Sequence, residues 1–190
     1  MSEVVSYATL TEEELVKINK DLEQKDTLDV VRWAYNQWGD ELVYACSFGA
    51  EGMVLIDLIS KIKPDAKIIF LDTQLHFKET YQLIDQVKER YSRLNIELVK
   101  PELSLKEQAQ KYGDELWKTN PDLCCRLRKV VPMEKVLTGV KAWLSGLRQE
   151  QSPTRATVQY VNRDDKFQSI KVCPLIKWTW TEVWLYIKQF

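Results

Sequence analysis

The apolar positions of this chain alternate between helical spacing and short continuous runs. Leu15, Ile18 and Leu22 recur at helical spacing behind Thr11-Glu12-Glu13-Glu14, a threonine cap with acids in the first turn. Val30, Val31, Ala34 and Trp38 predict a second helix over 29–38, with Gly39 as its C-cap. Leu42–Cys46 is a short apolar run, followed by the small-residue turn Ser47-Phe48-Gly49-Ala50-Glu51-Gly52. Met53, Val54, Leu55, Ile56, Leu58, Ile59 and Ile62 then return to helical spacing, and Pro64-Asp65 ends that helix. Lys67–Leu71 and Asn95–Val99 are two further runs, with a helix from Lys78 through Tyr81, Ile84, Val87 and Tyr91 between them. Pro101 stops the third run, and Leu105–Tyr112 forms a short helix before Gly113.

Strand, helix, strand, helix, strand predicts an α/β fold: an open, mostly parallel twisted sheet flanked by helices, with right-handed crossovers. Residues 1–40 read as an N-terminal helical segment and 41–190 as a nucleotide-binding α/β domain. Ligands of such sheets bind beyond the carboxyl ends of the strands, which puts 47–52 and Asp72-Thr73 on one rim. A helix that opens straight after a glycine-containing loop points free N–H groups and the positive end of its dipole at an anion. The loop matches neither the P-loop nor the G-x-G-x-x-G pattern.

The second half is less regular. Asn120-Pro121-Asp122-Leu123 reads as a turn and a helix continues toward Leu137. Residues 141–145 read as a strand, 156–161 and 167–172 as a hairpin around Asn162-Arg163-Asp164-Asp165, and 180–190 as a last helix capped by Thr179. Val183, Trp184 and Ile187 are its expected apolar face. The tryptophans are expected in the core, and Asp164-Asp165-Lys166 at a solvated hairpin tip.

Composition narrows the function. A net charge of −1 over 190 residues gives no basic field for nucleic acid. No segment approaches the run of about 18 apolar residues that spans a bilayer, and the acidic N-terminus is unlike a secretory signal. Four cysteines are too few for a secreted disulfide scaffold, so the expected location is the cytoplasm, with reduced thiols. Cys46 and Cys173 have apolar neighbours and read as core; the lone His76 reads as packed or hydrogen-bonded. Adjacent Cys124-Cys125, beside Arg126, Arg128 and Lys129, differ: nearby cations favour thiolate, the reactive and metal-binding form. Two thiolates are half the complement of an iron–sulfur cluster, and zinc likewise needs four ligands. Lys129, Arg148 and Arg155 read either as solvated charge or as a set of cations for phosphate or sulfate.

Together, Ser47-Phe48-Gly49-Ala50-Glu51, the segment from Leu71-Asp72-Thr73 to Tyr81, Cys124-Cys125-Arg126-Leu127-Arg128-Lys129, and Gly146-Leu147-Arg148-Gln149-Glu150-Gln151-Ser152-Pro153-Thr154-Arg155 resemble the adenylylsulfate/phosphoadenylylsulfate reductases of assimilatory sulfate reduction. The match runs from about Asp40 to the end, in order; the loop alone is shared with many adenine-nucleotide α-hydrolases of PP-loop-like fold. The resemblance implies a cradle of Ser47, Phe48, Gly49, Ala50, Glu51 and Gly52, with Leu71, Asp72 and Thr73 along adenine and ribose. It implies that Lys129, Gly146, Arg148 and Arg155 bind substrate, the cations holding the phosphosulfate. Cys124 and Cys125 would be two of four ligands to a [4Fe–4S] cluster, the mark of the branch that takes adenylylsulfate, with some members also taking its 3′-phosphorylated form. The implied reaction yields sulfite and AMP, with thioredoxin as reductant, and homo-oligomers are common in the family. The family's nucleophile lies in a C-terminal Glu-Cys-Gly-Leu-His tail, expected beyond Phe190, so the 190-residue chain alone is expected to be inactive. Two other classes fit the same fold: an ATP-pyrophosphatase-type adenylyltransferase or tRNA-modifying enzyme, and a non-catalytic adenine-nucleotide-binding module.

Overall fold

A computed structural model describes residues 4–190. Two helices lead, α1 (Glu12–Glu23) and α2 (Thr27–Trp38). β1 (Leu42–Cys46), α3 (Ala50–Ile62), β2 (Lys67–Leu71), α4 (Lys78–Arg90) and β3 (Asn95–Val99) follow as the expected alternation. Then come α5 (Leu105–Tyr112), the short α6 (Leu116–Thr119) and α7 (Pro121–Cys125), a π-helical turn (Arg126–Val130) and α8 (Val131–Leu137). β4 (Ala142–Leu144), β5 (Val161–Asp164), β6 (Ser169–Val172) and α9 (Trp180–Gln189) complete the chain.

The six strands form one sheet in the order β3-β2-β1-β4-β6-β5. All neighbours are parallel except β5, which pairs antiparallel with β6 at the edge. Tyr44 lies opposite both Ile68 of β2 and Leu144 of β4, so β1 is central and is covered on both faces. That double burial is why its sequence is continuously apolar rather than alternating. The apolar faces of α1 and α2 (Leu22, Val30, Val31, Ala34) belong to the same core as β1 and α3. Among the described residues, no helix is long and apolar enough to cross a membrane.

Several local expectations change. Asn120 is not in a turn: its side chain accepts the Leu123 N–H at 3.1 Å and caps α7, with Pro121 at the first helical position. The hairpin is shifted, because Asn162, Arg163 and Asp164 belong to β5 and the turn falls at 165–168. These polar residues stay in the strand because each finds a partner. Arg163 donates to the Leu10 carbonyl at 2.8 Å, and Asp164, 8% exposed rather than solvated, pairs with Lys171. Of the tryptophans, Trp117, Trp180 and Trp184 are exposed, so Val183 and not Trp184 carries the buried face of α9.

Two polar contacts fix the outer helices. Asn19 of α1 donates to the Val161 carbonyl at 2.9 Å and accepts its N–H at 2.9 Å, so a side-chain amide stands in for a strand on the edge of β5. Asp57 of α3 accepts from Tyr186 of α9 at 2.6 Å, Tyr91 at 3.0 Å and Lys61 at 2.6 Å. Burial opposes ionisation of Asp57, but the donors Lys61, Tyr186 and Tyr91 outweigh it and hold the carboxyl below its usual range. A lowered folded-state pKa contributes stability that is fully present above the unfolded value and is lost as pH falls through the folded one. The gap in urea midpoint between wild type and Asp57→Asn is therefore expected to be constant near neutrality and to shrink below about pH 4. Urea melts at pH 7 and pH 3 check this, and an equal gap at both would refute it.

Candidate functional site

The loop after β1 gets its shape from an unexpected residue. Phe48, and not a glycine, adopts the left-handed conformation (φ +55°), at a cost on the order of 1–3 kcal/mol. What holds it there is burial: the ring packs edge-on against Phe70 with centroids 5.2 Å apart. Gly49 has φ −74°, and a Cβ there would make only ordinary contacts, with Ser47 Oγ at 3.6 Å and Glu51 Oε2 at 4.0 Å. Gly52 is the sterically required glycine, since its Cβ would stand 3.0 Å from Cys46 Sγ and 3.6 Å from Tyr44 Oη. Its lack of a side chain lets the first turn of α3 sit directly on β1. Gly146 works from the other side, where a Cβ would lie 3.3 Å from Glu51 Cβ. Helices α1, α2, α5 and α9 all have side-chain N-caps, whereas Gly49 offers α3 none. The first turn of α3 thus keeps N–H groups without a side-chain cap at the rim.

The end of β2 lies alongside. Asp72 is buried and folds back, accepting the Gln74 N–H at 3.0 Å and the Tyr81 hydroxyl at 2.6 Å. Burial and then this carboxylate push the Tyr81 hydroxyl up to about 12. His76 Nε2 lies between the Leu71 carbonyl at 3.0 Å and the Thr73 N–H at 3.4 Å, hydrogen-bonded as well as packed. Its ring stacks on Phe70 at 4.8 Å, the packed role expected of it.

Above this rim stand the cysteines. Cys124 is buried and Cys125 exposed at the end of α7, and the π-helical turn follows at once. Such turns often mark functional sites because the extra residue re-aims side chains. Here Arg128 points inward, 2% exposed, and Lys129 outward. A cavity of about 260 Å³ is lined by Cys124, Cys125, Trp117, Thr73, His76 and Lys129. A second, more apolar one of about 270 Å³ opens between the ends of β1 and β2, against Cys46, Phe70 and Leu71. Thr73, His76 and Lys129 line both.

The donor set fits a four-thiolate cluster only as half of one. Burial pushes the Cys46 thiol up to about 11 and the Cys173 thiol to about 12, so both stay protonated near neutrality and behave as core residues. Among the described residues, no three His, Cys, Asp or Glu side chains gather to hold a metal. Cys124 and Cys125 are the two thiols placed to ligate.

The arginine loop is the main surprise. Arg148 is 5% exposed. Its Nε donates to Glu51 Oε1 at 2.9 Å, and its Nη1 donates to Glu150 Oε2 at 2.8 Å and to the Trp178 carbonyl at 3.3 Å. The guanidinium also lies over the Trp180 ring at 5.3 Å. Arg155, half-buried, donates to Gln151 Oε1. Neither Lys129 nor Arg155 has a carboxylate partner among the described residues; Lys129 lines both cavities, and Arg155 is held by Gln151. Gln108, which holds Arg128, went unread because it acts across 20 residues, while Glu150 and Gln151 were read only as part of a segment although their contacts to Arg148 and Arg155 are local.

The family described as the phosphoadenosine phosphosulfate reductase domain matches residues 41–190. The adenosine 5′-phosphosulfate reductase of Geobacillus sp. (strain WCH70) is 60% identical over 184 residues, covering 97% of this chain and 78% of that protein. Adenosine 5′-phosphosulfate reductase 2 of Bacillus subtilis (strain 168) is 59% identical over 188 residues, covering 99% and 79%. Among solved structures, the phosphoadenylyl-sulfate reductase of Candida auris in its phosphate complex superposes with a TM-score of 0.82 at 35% identity, covering 95% of this chain and 87% of that one. The chain belongs to the phosphoadenosine phosphosulfate reductase domain family.

The two loop glycines are expected to behave oppositely. Gly52→Ala forces α3 off β1 and costs on the order of 1–3 kcal/mol. Gly49→Ala stays within about 1 kcal/mol of wild type, because its backbone suits any residue and its Cβ has room. Chemical denaturation of both variants checks this, and equal losses would refute it.

Proposed function

We propose that the protein is an assimilatory adenylylsulfate reductase, converting adenylylsulfate to sulfite and AMP with a thioredoxin-type dithiol as reductant. The carrying observation is that the apolar slot and the cysteine cavity share Thr73, His76 and Lys129. A nucleotide in the slot would bring its anionic end to the wall that bears Cys124 and Cys125. The identity to adenosine 5′-phosphosulfate reductases supports the same reading.

Adenine fits the slot between β1 and β2, against Phe70 and Leu71. The phosphosulfate meets the uncapped first turn of α3, with Lys129 and Arg155 supplying positive charge. Such pre-oriented groups neutralise a polyanion so that a thiolate can approach it. The thiolate attacks the sulfate sulfur, an S–S bond forms, the bridging S–O bond breaks, and AMP leaves with the electron pair. One thiolate of a dithiol then attacks the cysteine sulfur of the resulting S-sulfocysteine, sulfite departs with its pair and a mixed disulfide forms. The second thiolate attacks the reductant sulfur of that bond, leaving the dithiol as a disulfide and releasing the enzyme thiolate. Neither Cys46 nor Cys173 suits the nucleophile, being neutral and buried. The resemblance assigns that role to a cysteine beyond residue 190. Cys124 and Cys125 would hold half of a [4Fe–4S] cluster, which when bound would add fixed charge at the shared wall.

Two measurements on the full-length protein, purified without oxygen, test this. Iron and acid-labile sulfide are expected at about four per chain, falling toward zero in Cys125→Ser. Calorimetric titration is expected to show adenylylsulfate binding that Lys129→Ala weakens about tenfold or more. Iron-free protein that binds no sulfonucleotide, or one that exchanges pyrophosphate into ATP, would overturn the proposal.

A further inference from the structure

Glu51 puts a negative charge where an anion-binding loop has least use for one, in the first turn of α3. Uncompensated, it would repel the ligand assigned to that turn. Two groups engage it: Oε1 accepts from Arg148 Nε at 2.9 Å and from Gln151 Nε2 at 2.9 Å. Burial opposes its ionisation, yet its own backbone N–H, Arg148 and Gln151 outweigh that and hold the carboxyl below its usual range. Arg148 is fixed in turn by Glu150, the Trp178 carbonyl and the Trp180 ring.

Gln151 is used at both ends. Its Oε1 accepts the Arg148 N–H at 3.1 Å and the Arg155 guanidinium, while its Nε2 faces Glu51. A carboxylate only accepts, and a backbone N–H or guanidinium only donates. The amide therefore has one orientation that satisfies all its neighbours: Glu51 holds its NH₂ end, and the Arg148 N–H and Arg155 hold its oxygen end. Turned over, it would present an NH₂ group to Arg155 and an oxygen to a carboxylate.

We propose that Glu51 is a positioning residue: without touching the ligand, it aims Arg155 at the bound anion by fixing the orientation of the Gln151 amide. The proposal rests on the adenylylsulfate reading and adds how one of its cations is held. It also separates Glu51 from Ser47 and Gly49, the exposed members of the loop.

Glu51→Gln keeps the side-chain shape but loses the charge and can donate as well as accept, so it removes the acceptor-only group that holds the NH₂ end of the Gln151 amide. Full-length protein is titrated calorimetrically with adenylylsulfate as wild type, Glu51→Gln, Gln151→Ala, Arg155→Ala and the double variant Glu51→Gln/Arg155→Ala. Each single variant is expected to weaken binding about tenfold. The double variant is expected to match Arg155→Ala alone, because Glu51 acts through Arg155. Multiplying losses in the double variant, or unchanged or tighter binding in Glu51→Gln, would overturn the proposal. A ligand-free readout runs beside it: trypsin cleavage after Arg155, scored against the melting temperature of each variant. Cleavage is expected to speed several-fold in Glu51→Gln and Gln151→Ala beyond what each variant's fall in melting temperature accounts for; cleavage that only tracks melting temperature would overturn the proposal. Wild-type protein that fails to bind adenylylsulfate would sink the reading of the site, while the proteolysis would still decide whether Glu51 holds Arg155.

Discussion

A buried cation whose hydrogen bonds all go to neutral oxygens holds the upper part of this structure together. Arg128 is 2% exposed, and its guanidinium is satisfied entirely by neutral oxygens. Nε donates to the Thr73 carbonyl at 2.7 Å, Nη1 to Gln108 Oε1 at 2.9 Å and the Leu103 carbonyl at 3.2 Å, and Nη2 to Gln74 Oε1 at 2.8 Å. Burying a charge costs several kcal/mol unless each donor is matched, and here the match comes from the loops after β2 and β3 and from α5. Desolvation draws the Arg128 pKa down, and Cys124 and Asp72 pull it back. The π-helical turn thus clamps the cysteine pair onto the strand ends. Removing the guanidinium would leave several buried acceptors without donors, at about 1–3 kcal/mol each.

The cations at this end of the sheet divide into two kinds. Arg128 and Arg148 are inside, and each spreads several N–H donors over partners on different segments, a task that suits the rigid fork of arginine. Lys129 is exposed and lines both cavities, and Arg155 is half-buried with a single side-chain partner, Gln151. The division follows geometry more than charge. A residue that must tie three segments together has its directions consumed by them, and a residue with one contact or none can still meet something new.

The α/β order was legible because β1 and β2 are buried so completely that their apolar residues run together, while those of α3 recur at helical spacing. Caps at Thr11 and Thr179 were legible too, since a capping box is local. Failures came where a distant contact overrides a local preference. Asn162-Arg163-Asp164 looks like turn chemistry, but Leu10 and Lys171 accept it into β5. Trp180 and Trp184 fall at helical spacing, yet their stripe faces solvent and Val183 faces the core. Of the site, the loop, the rim and the cysteine pair could be read as segments. The burial of Arg148 could not, because its partners Glu51 and Trp178 lie 97 and 30 residues away.

Under the rim the protein is stiff, and this is what makes an underfilled loop useful. Gly52 seats α3 on β1, Asp57 ties α3 to α9 and to Tyr91, and Glu51 ties α3 to the arginine loop. Above these anchors, Phe48 holds an inverted backbone and α3 begins without a side-chain cap. Both features cost stability when the protein stands alone, and both are tolerated because the scaffold leaves the loop no alternative. A loop fixed in advance loses little conformational freedom when an anion arrives, so more of the attraction between N–H groups, cations and anion is kept as affinity. On the proposed reading, a looser loop with the same residues would bind the same ligand more weakly, and the packing of α3 on β1 would then be part of the binding site.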